Sequence, residues 1–275
     1  MTEPTILDRI VAQREIDVRA AKSALPFPEL QEKVRNAPPP RDFLARLRAS
    51  SPMALIAEIK RASPSKGDIA PGADAAKQGR IYADAGVAAI SVLTEPTWFK
   101  GSLEDMLDVR LVVDALDSRR PAILRKDFII DAYQVMEARA FGADAVLLIV
   151  AALNDATLEG LLEFTHDLAM EALVEVNNSE EMQRAIKAGA ALIGVNNRDL
   201  RSFNVDLGTT ARLAVMVPDG TLLAALSGIT SRTDVERFAG AGAEAVLVGE
   251  ALMTAPNAAA KVAELLALAD PAAAP

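Results

Sequence analysis

Leu55-Ile56-Ala57-Glu58-Ile59-Lys60-Arg61-Ala62-Ser63-Pro64-Ser65-Lys66-Gly67 opens as a strand and runs out into a loop. Side chains alternate faces along a strand, so Ile56, Glu58 and Lys60 share one side and Leu55, Ala57 and Ile59 the other. Both sides start apolar, the mark of a strand covered on both faces. One side then ends in a carboxylate and an ammonium two residues apart, at the edge of a Ser-Pro-Ser-Lys-Gly loop. Charges at the carboxyl end of a buried strand are where α/β barrels build active sites. A simple Glu–Lys pair at a strand exit is the competing reading, and the rest of the chain weighs between the two.

Beyond that strand a unit recurs. A helix ends near Gly-Ala, and an apolar strand follows within a few residues. Ala85-Gly86-Val87 leads into Ala89 to Leu93, and Phe141-Gly142-Ala143-Asp144 into Ala145 to Val150. Ala188-Gly189-Ala190 leads into Ala191 to Val195, and Ala241-Gly242-Ala243 into Glu244 to Val248. Each glycine suits the end of a helix. Further strands are read at Ala122 to Leu124, Ala172 to Val176 and Leu222 to Ala225. With the opening strand these make about eight βα units, enough to close a parallel sheet into a barrel. The predicted class is therefore α/β, a single (β/α)8 TIM barrel with an N-terminal helical extension. An open doubly wound sheet is the runner-up, but no Gly-x-Gly-x-x-Gly follows the first strand.

Residues 4–24 read as an amphipathic helix with Ile6, Ile10, Val11 and Val18 toward one side. A short helix follows over Phe27 to Val34, then the breaker Ala37-Pro38-Pro39-Pro40 and a third helix over Arg41 to Ala49. Residues 1–50 are thus expected to form an extension packed on the barrel, residues 51–268 the barrel, and residues 269–275 a disordered Ala/Pro tail.

Composition narrows the function. The 275-residue chain is 51% hydrophobic but only 4% aromatic, so Ala, Leu, Val and Ile must fill the core. A net charge of −9 argues against general nucleic-acid binding, which needs a basic face, while leaving room for a small anionic ligand. With no cysteine, thiolate metal sites and cysteine nucleophiles are excluded. The single histidine, His166, falls in a polar helical stretch and reads as a surface residue. The N-terminus lacks a signal-peptide core and the longest apolar run is too short for a bilayer, so a cytoplasmic protein with no membrane partner is expected.

If the sheet closes, the carboxyl ends of its strands share one mouth. Lys126 has the parity of Leu124, Glu175 that of Leu173, and Asn196 that of Gly194, while Arg198 lies in the loop beyond. With Glu58 and Lys60 these converge from separate strands, and burying such charges for stability alone is unfavourable because desolvation can outweigh their attraction. A lysine becomes a general acid near neutral pH when a neighbouring ammonium and desolvation lower its pKa, and a carboxylate becomes a base when its pKa is raised. Proton-transfer chemistry with no metal and no organic cofactor is the expectation. Ser227-Gly228 and Gly249-Glu250, each read as preceding a short helix, suggest a phosphate site built from backbone N–H groups, with the Glu250 side chain turned away. Tight turns at those glycines are the plainer reading.

These residues, taken together, resemble a known family. Ala57-Glu58-Ile59-Lys60-Arg61-Ala62-Ser63-Pro64-Ser65, Leu124-Arg125-Lys126-Asp127-Phe128, Leu173-Val174-Glu175-Val176, Gly194-Val195-Asn196-Asn197-Arg198-Asp199-Leu200 and Ser227-Gly228-Ile229 resemble indole-3-glycerol-phosphate synthase, from about Ile6 to Met253. The resemblance implies a carboxy-lyase of tryptophan biosynthesis acting on 1-(2-carboxyphenylamino)-1-deoxyribulose 5-phosphate. It implies Lys126 as general acid, Glu175 as base or relay for dehydration, and Glu58 and Asn196 on the ribulose hydroxyls. Lys60 would bridge the phosphate and the carboxylate network. Ser63 and Arg198 would serve the anthranilate carboxylate, with Ser63 on a mobile flap. Phe99, Phe128, Leu147 and Leu200 would form the aromatic slot, and Ser227, Gly228, Gly249 and Glu250 would meet phosphate.

Two positions depart from the family pattern. Leu226 stands where many members carry Glu, and Asn177 where many carry His. Ala225-Leu226-Ser227-Gly228-Ile229 and Glu175-Val176-Asn177-Asn178 look most like the domain inside fungal multifunctional tryptophan proteins, which implies other tryptophan-pathway domains as partners. Phosphoribosylanthranilate isomerase shares the fold but relies on a cysteine this chain lacks. A Schiff-base aldolase using Lys60 or Lys126, and a non-catalytic phosphate-binding subunit, are the remaining rivals.

Overall fold

In the computed structural model, which describes residues 3–199 and 203–267, eight parallel strands close on themselves. In chain order the strands are β1 (Ala54–Ile59), the short pair β2 (Ala62–Ser63) and β3 (Gly67–Asp68), β4 (Ala89–Leu93), β5 (Ala122–Lys126), β6 (Ala145–Ile149), β7 (Glu171–Val176), β8 (Leu192–Asn196), β9 (Leu222–Leu226) and β10 (Ala245–Val248). Strands β1 and β4 to β10 form the ring, with β1 paired to both β4 and β10, so the open doubly wound alternative is ruled out. The helices are α1 (Ile6–Ala24), α2 (Phe27–Asn36), α3 (Phe43–Arg48), α4 (Ala75–Asp84), α5 (Leu103–Asp114), α6 (Ala132–Ala140), α7 (Asp155–Asp167), α8 (Ser179–Lys187), α9 (Gly208–Ala214), α10 (Arg232–Gly240), α11 (Glu250–Met253) and α12 (Ala258–Leu266). No helix among the described residues is long and apolar enough to cross a membrane. The expected tail, 269–275, lies outside the described residues.

Strand parity separates two cores. Ile56, Leu124, Leu147, Leu173, Leu192 and Leu222 meet inside the ring. Their chain neighbours Leu55, Ile123, Val146, Val174, Ile193 and Leu223 pack outward against the helices. The near-continuous apolar runs of the strands are the direct consequence of covering on both faces. The repeat glycines Gly86, Gly142, Gly189 and Gly242 lie just past helix ends with positive φ.

The chain before β1 reaches both ends of the barrel. Helix α3 sits at the amino ends of the strands: Phe43 and Leu47 join the inner core, Arg46 donates to the Val87 carbonyl and Arg48 to that of Gly220. Helix α1 lies at the other end. Its start is set by a capping box in which Thr5 accepts from the Asp8 N–H and Asp8 accepts from the Thr5 N–H. Its buried row is Leu7, Ile10, Arg14 and Val18, whereas Ile6 and Val11 of the expected face are only half-buried. Burying Leu7, Ile10 and Val18 stabilises the docking by about 1.5–3 kcal/mol each. Arg14 tolerates burial because its guanidinium meets Asp127 at 3.2 Å and Asp17 at 2.9 Å.

Two further buried carboxylates are held by several donors each. Asp144, at the amino end of β6, accepts from Arg120 at 2.6 and 3.0 Å and from the backbone N–H groups of Ile123 and Arg41, each at 2.7 Å. This one carboxylate ties α3's leading segment to two strands. Asp127, just past β5, accepts from Arg125, Arg14 and Thr94, which outweigh the upward push of its burial and hold its carboxyl below the usual range.

Candidate active site

The carboxyl ends of the strands open into a cavity of about 910 Å³. Glu58, Lys60, Lys126, Glu175, Asn196 and Arg198 all line it. Lys126 is the last residue of β5 and Asn196 the last of β8, so the strands themselves carry both side chains to the mouth. Lys60 Nζ lies 2.8 Å from Glu58 Oε1, and Lys126 Nζ lies 3.7 Å from Glu175 Oε2. Asn196 Nδ2 donates to Glu175 Oε1 at 2.9 Å, and Asn196 Oδ1 accepts from the Arg198 N–H at 2.9 Å. Asn177 Nδ2 donates to the Asn196 carbonyl at 2.7 Å, so the residue at this departure from the family pattern supports the strand end that carries Asn196. Glu175 Oε2 is buried with no hydrogen-bond partner among the described residues. A buried carboxylate oxygen left open in this way carries a desolvation cost, which a reacting group or water can relieve.

Burial pushes the Glu58 carboxyl up, but Lys60 and Lys126 outweigh it and hold the group below its ordinary value. That direction favours the ionised form, so Glu58 is a hydrogen-bond acceptor in the resting site. Gly249 explains how Glu58 fits: a Cβ there would lie 2.3 Å from Glu58 Oε1. The carboxylate at the end of β1 rests against the bare backbone that follows β10.

Ser227 and Gly228 are consecutive residues with φ of +66° and +80°. Positive φ is uncommon for serine, and successive left-handed residues turn backbone N–H groups toward one concavity. A Cβ on Gly228 would also strike Leu207 at 2.6 Å and Val205 at 2.7 Å. Contrary to the sequence reading, no short helix follows this turn; the chain passes through Ile229 and Thr230 to the N-cap Ser231 of α10. The four-residue α11 does start at Glu250, whose side chain faces Lys66 at 3.4 Å. Ser227, Gly228, Gly249 and Glu250 all line the cavity.

The Ser63-Pro64-Ser65-Lys66-Gly67 segment is a tight hairpin, β2 against β3. Arg61 fixes its root with a two-pronged pair to Asp105 at 2.5 and 2.7 Å and bonds to the carbonyls of Ala73 and Lys100. Lys100 also pairs with Asp68 on the hairpin. Ser63 is buried at the cavity wall.

The apolar side of the mouth is formed by Phe99 and Phe128, whose rings are 5.9 Å apart and tilted by 39°. Glu95, buried at the end of β4, shapes the loop that delivers Phe99 by accepting from the N–H groups of Thr97, Trp98 and Phe99. Leu147 does not reach the cavity. It lies in the inner core two residues below Ile149, which takes the rim position on the same face. Leu200 lies outside the described residues. Sequence reasoning passed over Ile6, Leu7 and Ile10 of α1, which add to the apolar wall. Their periodicity announced a buried face without saying that it covers the mouth.

The molecule so far is a (β/α)8 barrel whose mouth joins two lysine–carboxylate pairs, an apolar wall and a turn with two successive positive φ values. Solved structures bear on the fold alone. Thiamine phosphate pyrophosphorylase from Pyrococcus furiosus matches with a TM-score of 0.59 at 18% identity, covering 80% of this chain and 95% of that one. A 3-hexulose-6-phosphate synthase matches with a TM-score of 0.56 at 18% identity, covering 78% and 99%. Sequence relatives are far more similar. An indole-3-glycerol phosphate synthase of Roseiflexus sp. is 51% identical over 95% of this chain and 98% of its own length. A multifunctional tryptophan biosynthesis protein of Phycomyces blakesleeanus is 56% identical over 95% of this chain but only 34% of its own length. That of Schizosaccharomyces pombe is 56% identical over 97% and 35%. This chain thus spans about a third of the multifunctional relatives and nearly the whole of the bacterial one. The family model for indole-3-glycerol phosphate synthase matches residues 7–265, and the chain belongs to that family.

Proposed function

We propose that this chain converts 1-(2-carboxyphenylamino)-1-deoxyribulose 5-phosphate to indole-3-glycerol phosphate. The observation that carries the reading is the meeting of Lys126, Glu175, Asn196, Glu58 and Lys60 from four strand ends in one cavity beside the Phe99–Phe128 wall. Lys126 donates a proton to the ketone oxygen as the aromatic carbon attacks, and the apolar wall favours loss of the carboxylate as carbon dioxide. Glu175 takes the proton from the carbon next to nitrogen as the new hydroxyl departs. Glu58, held ionised, accepts from a ribulose hydroxyl with Asn196, and Lys60 links Glu58 to the phosphate. The Ser227-Gly228 turn and the backbone at Gly249-Glu250 take the phosphate, and Ser63 and Arg198 take the substrate carboxylate. The balanced reaction needs no cofactor.

In this reading residues 51–268 are the catalytic barrel and residues 1–50 an extension packed on it. We place the protein in the cytoplasm, working beside the other enzymes or domains of tryptophan biosynthesis.

The test is to supply the substrate to the purified chain and follow indole fluorescence and carbon dioxide. One indole and one carbon dioxide per substrate are expected. Substrate consumption without indole contradicts the reading, and a borohydride-trapped adduct on Lys60 or Lys126 would favour an aldolase instead.

A further inference from the structure

A second, smaller cavity of about 100 Å³ lies behind Glu175. It is lined by Glu175, Ala151, Asn177, Asn178, Glu181 and Asp199, among others. Glu175 borders both this cavity and the mouth. The lining runs outward from Glu175, 3% exposed, through half-buried Asn177 to exposed Asn178 at the head of α8. Beside the apolar Leu7, Ile149 and Val176, the polar lining and the volume give room for several hydrogen-bonded waters. Its polar groups are organised. Glu181 accepts from the Asn177 N–H at 2.8 Å and from Asn178 Nδ2 at 2.7 Å, which holds the β7–α8 turn open around the space.

The proposed reaction gives such a passage a task, and the inference rests on that reading. Per turnover the ketone oxygen gains one proton when the carbon–carbon bond forms. The departing hydroxyl takes a second as water forms. The carbon next to nitrogen returns one as the double bond forms, and the carboxylate leaves as carbon dioxide carrying none. Each ionised substrate therefore draws one net proton from solvent. At that stage substrate fills the mouth, and Glu175, paired to Asn196 through Oε1, keeps a buried Oε2 with no hydrogen-bond partner 3.7 Å from Lys126 Nζ.

The geometry points to the side cavity as a water-filled proton entry. It reloads the Glu175–Lys126 pair from the β7–α8 surface while the mouth is occupied. Asn177 and Glu181 are positioning residues that hold the passage open.

Single-turnover stopped flow with a pH indicator and indole fluorescence tests this. In the parent protein proton uptake should coincide with indole formation and precede product release. Uptake that waits for product release would overturn the proposal without any variant. In Ala151→Leu, whose side chain fills the passage from a residue outside the mouth, uptake should lag to the rate of product release. In the same variant kcat should fall, KM hold and the solvent isotope effect on kcat rise, while Ala151→Ser behaves as the parent. Coincident uptake in a folded Ala151→Leu would also overturn it. Absence of indole from the parent protein would instead count against the proposed function, so the two failures are told apart.

Discussion

Two buried carboxylates, Asp144 at the amino end of the barrel and Glu175 at the carboxyl end, have different surroundings. At the amino end Asp144 has two bonds from Arg120 and two from backbone N–H groups. At the carboxyl end Glu175 has one hydrogen bond, from Asn196, and a second oxygen that has no hydrogen-bond partner among the described residues and meets only Lys126, at 3.7 Å. Saturation suits a structural tie, because an incomplete set of partners leaves an uncompensated buried charge. An open valence in a cavity suits chemistry, because the missing partner is a substrate or water. Asp127 at the carboxyl end is also saturated, so the contrast singles out Glu175, on the face where barrel enzymes place their reacting groups, rather than that whole end.

Breaking the reactive end should cost activity first. Lys126→Ala should lower turnover by about 10²–10⁴-fold, while calorimetry shows substrate binding weakened far less. Normal turnover would remove Lys126 from the acid role. Breaking the structural end should do the reverse. Asp144→Ala strands Arg120 and two backbone donors, and urea denaturation should show a loss of about 3–5 kcal/mol with kcat little changed.

A smaller effect is expected where backbone and carboxylate touch. Gly249→Ala puts a methyl into the space of Glu58 Oε1. It should cost about 1–3 kcal/mol of stability and lower kcat/KM by displacing Glu58. The smallest effect concerns pH. The folded pKa of Glu58 lies below its ordinary value because Lys60 and Lys126 outweigh burial. Its ionised form therefore contributes stability above the unfolded-state pKa, and that contribution fades as pH falls through the folded value. The stability difference between parent and Glu58→Gln should be largest at neutral pH and shrink on acidification. A difference that grows toward acid would reverse the sign of the argument.

Much of this was legible in the residues because strand parity is a local rule. Ile56, Glu58 and Lys60 follow one another on one face, so a single buried strand announced both an interior and a mouth. The same rule carried Lys126, Glu175 and Asn196 to the cavity. It could not say how deep a residue sits, and so gave no check on Leu147, which the resemblance put at the rim that Ile149 occupies. Contacts distant in sequence were invisible. Glu58 against Gly249 depends on ring closure, and the burial of Arg14 depends on Asp127 at the far end of another strand. The hairpin after β1 was read as a flap from the resemblance, and its ladder of two residue pairs is too short to leave an alternating pattern in the sequence. The side cavity behind Glu175 has no sequence signal, being defined by the space between elements.

The most direct test of the difference between Asp144 and Glu175 is urea denaturation of Glu175→Gln. Gln keeps the shape and still accepts from Asn196, but removes a buried charge whose second oxygen has no hydrogen-bond partner. The account predicts a folded protein at least as stable as the parent, lacking indole production. A loss of stability as large as that of Asp144→Ala would contradict it, because Glu175 would then be a structural tie like its counterpart at the other end.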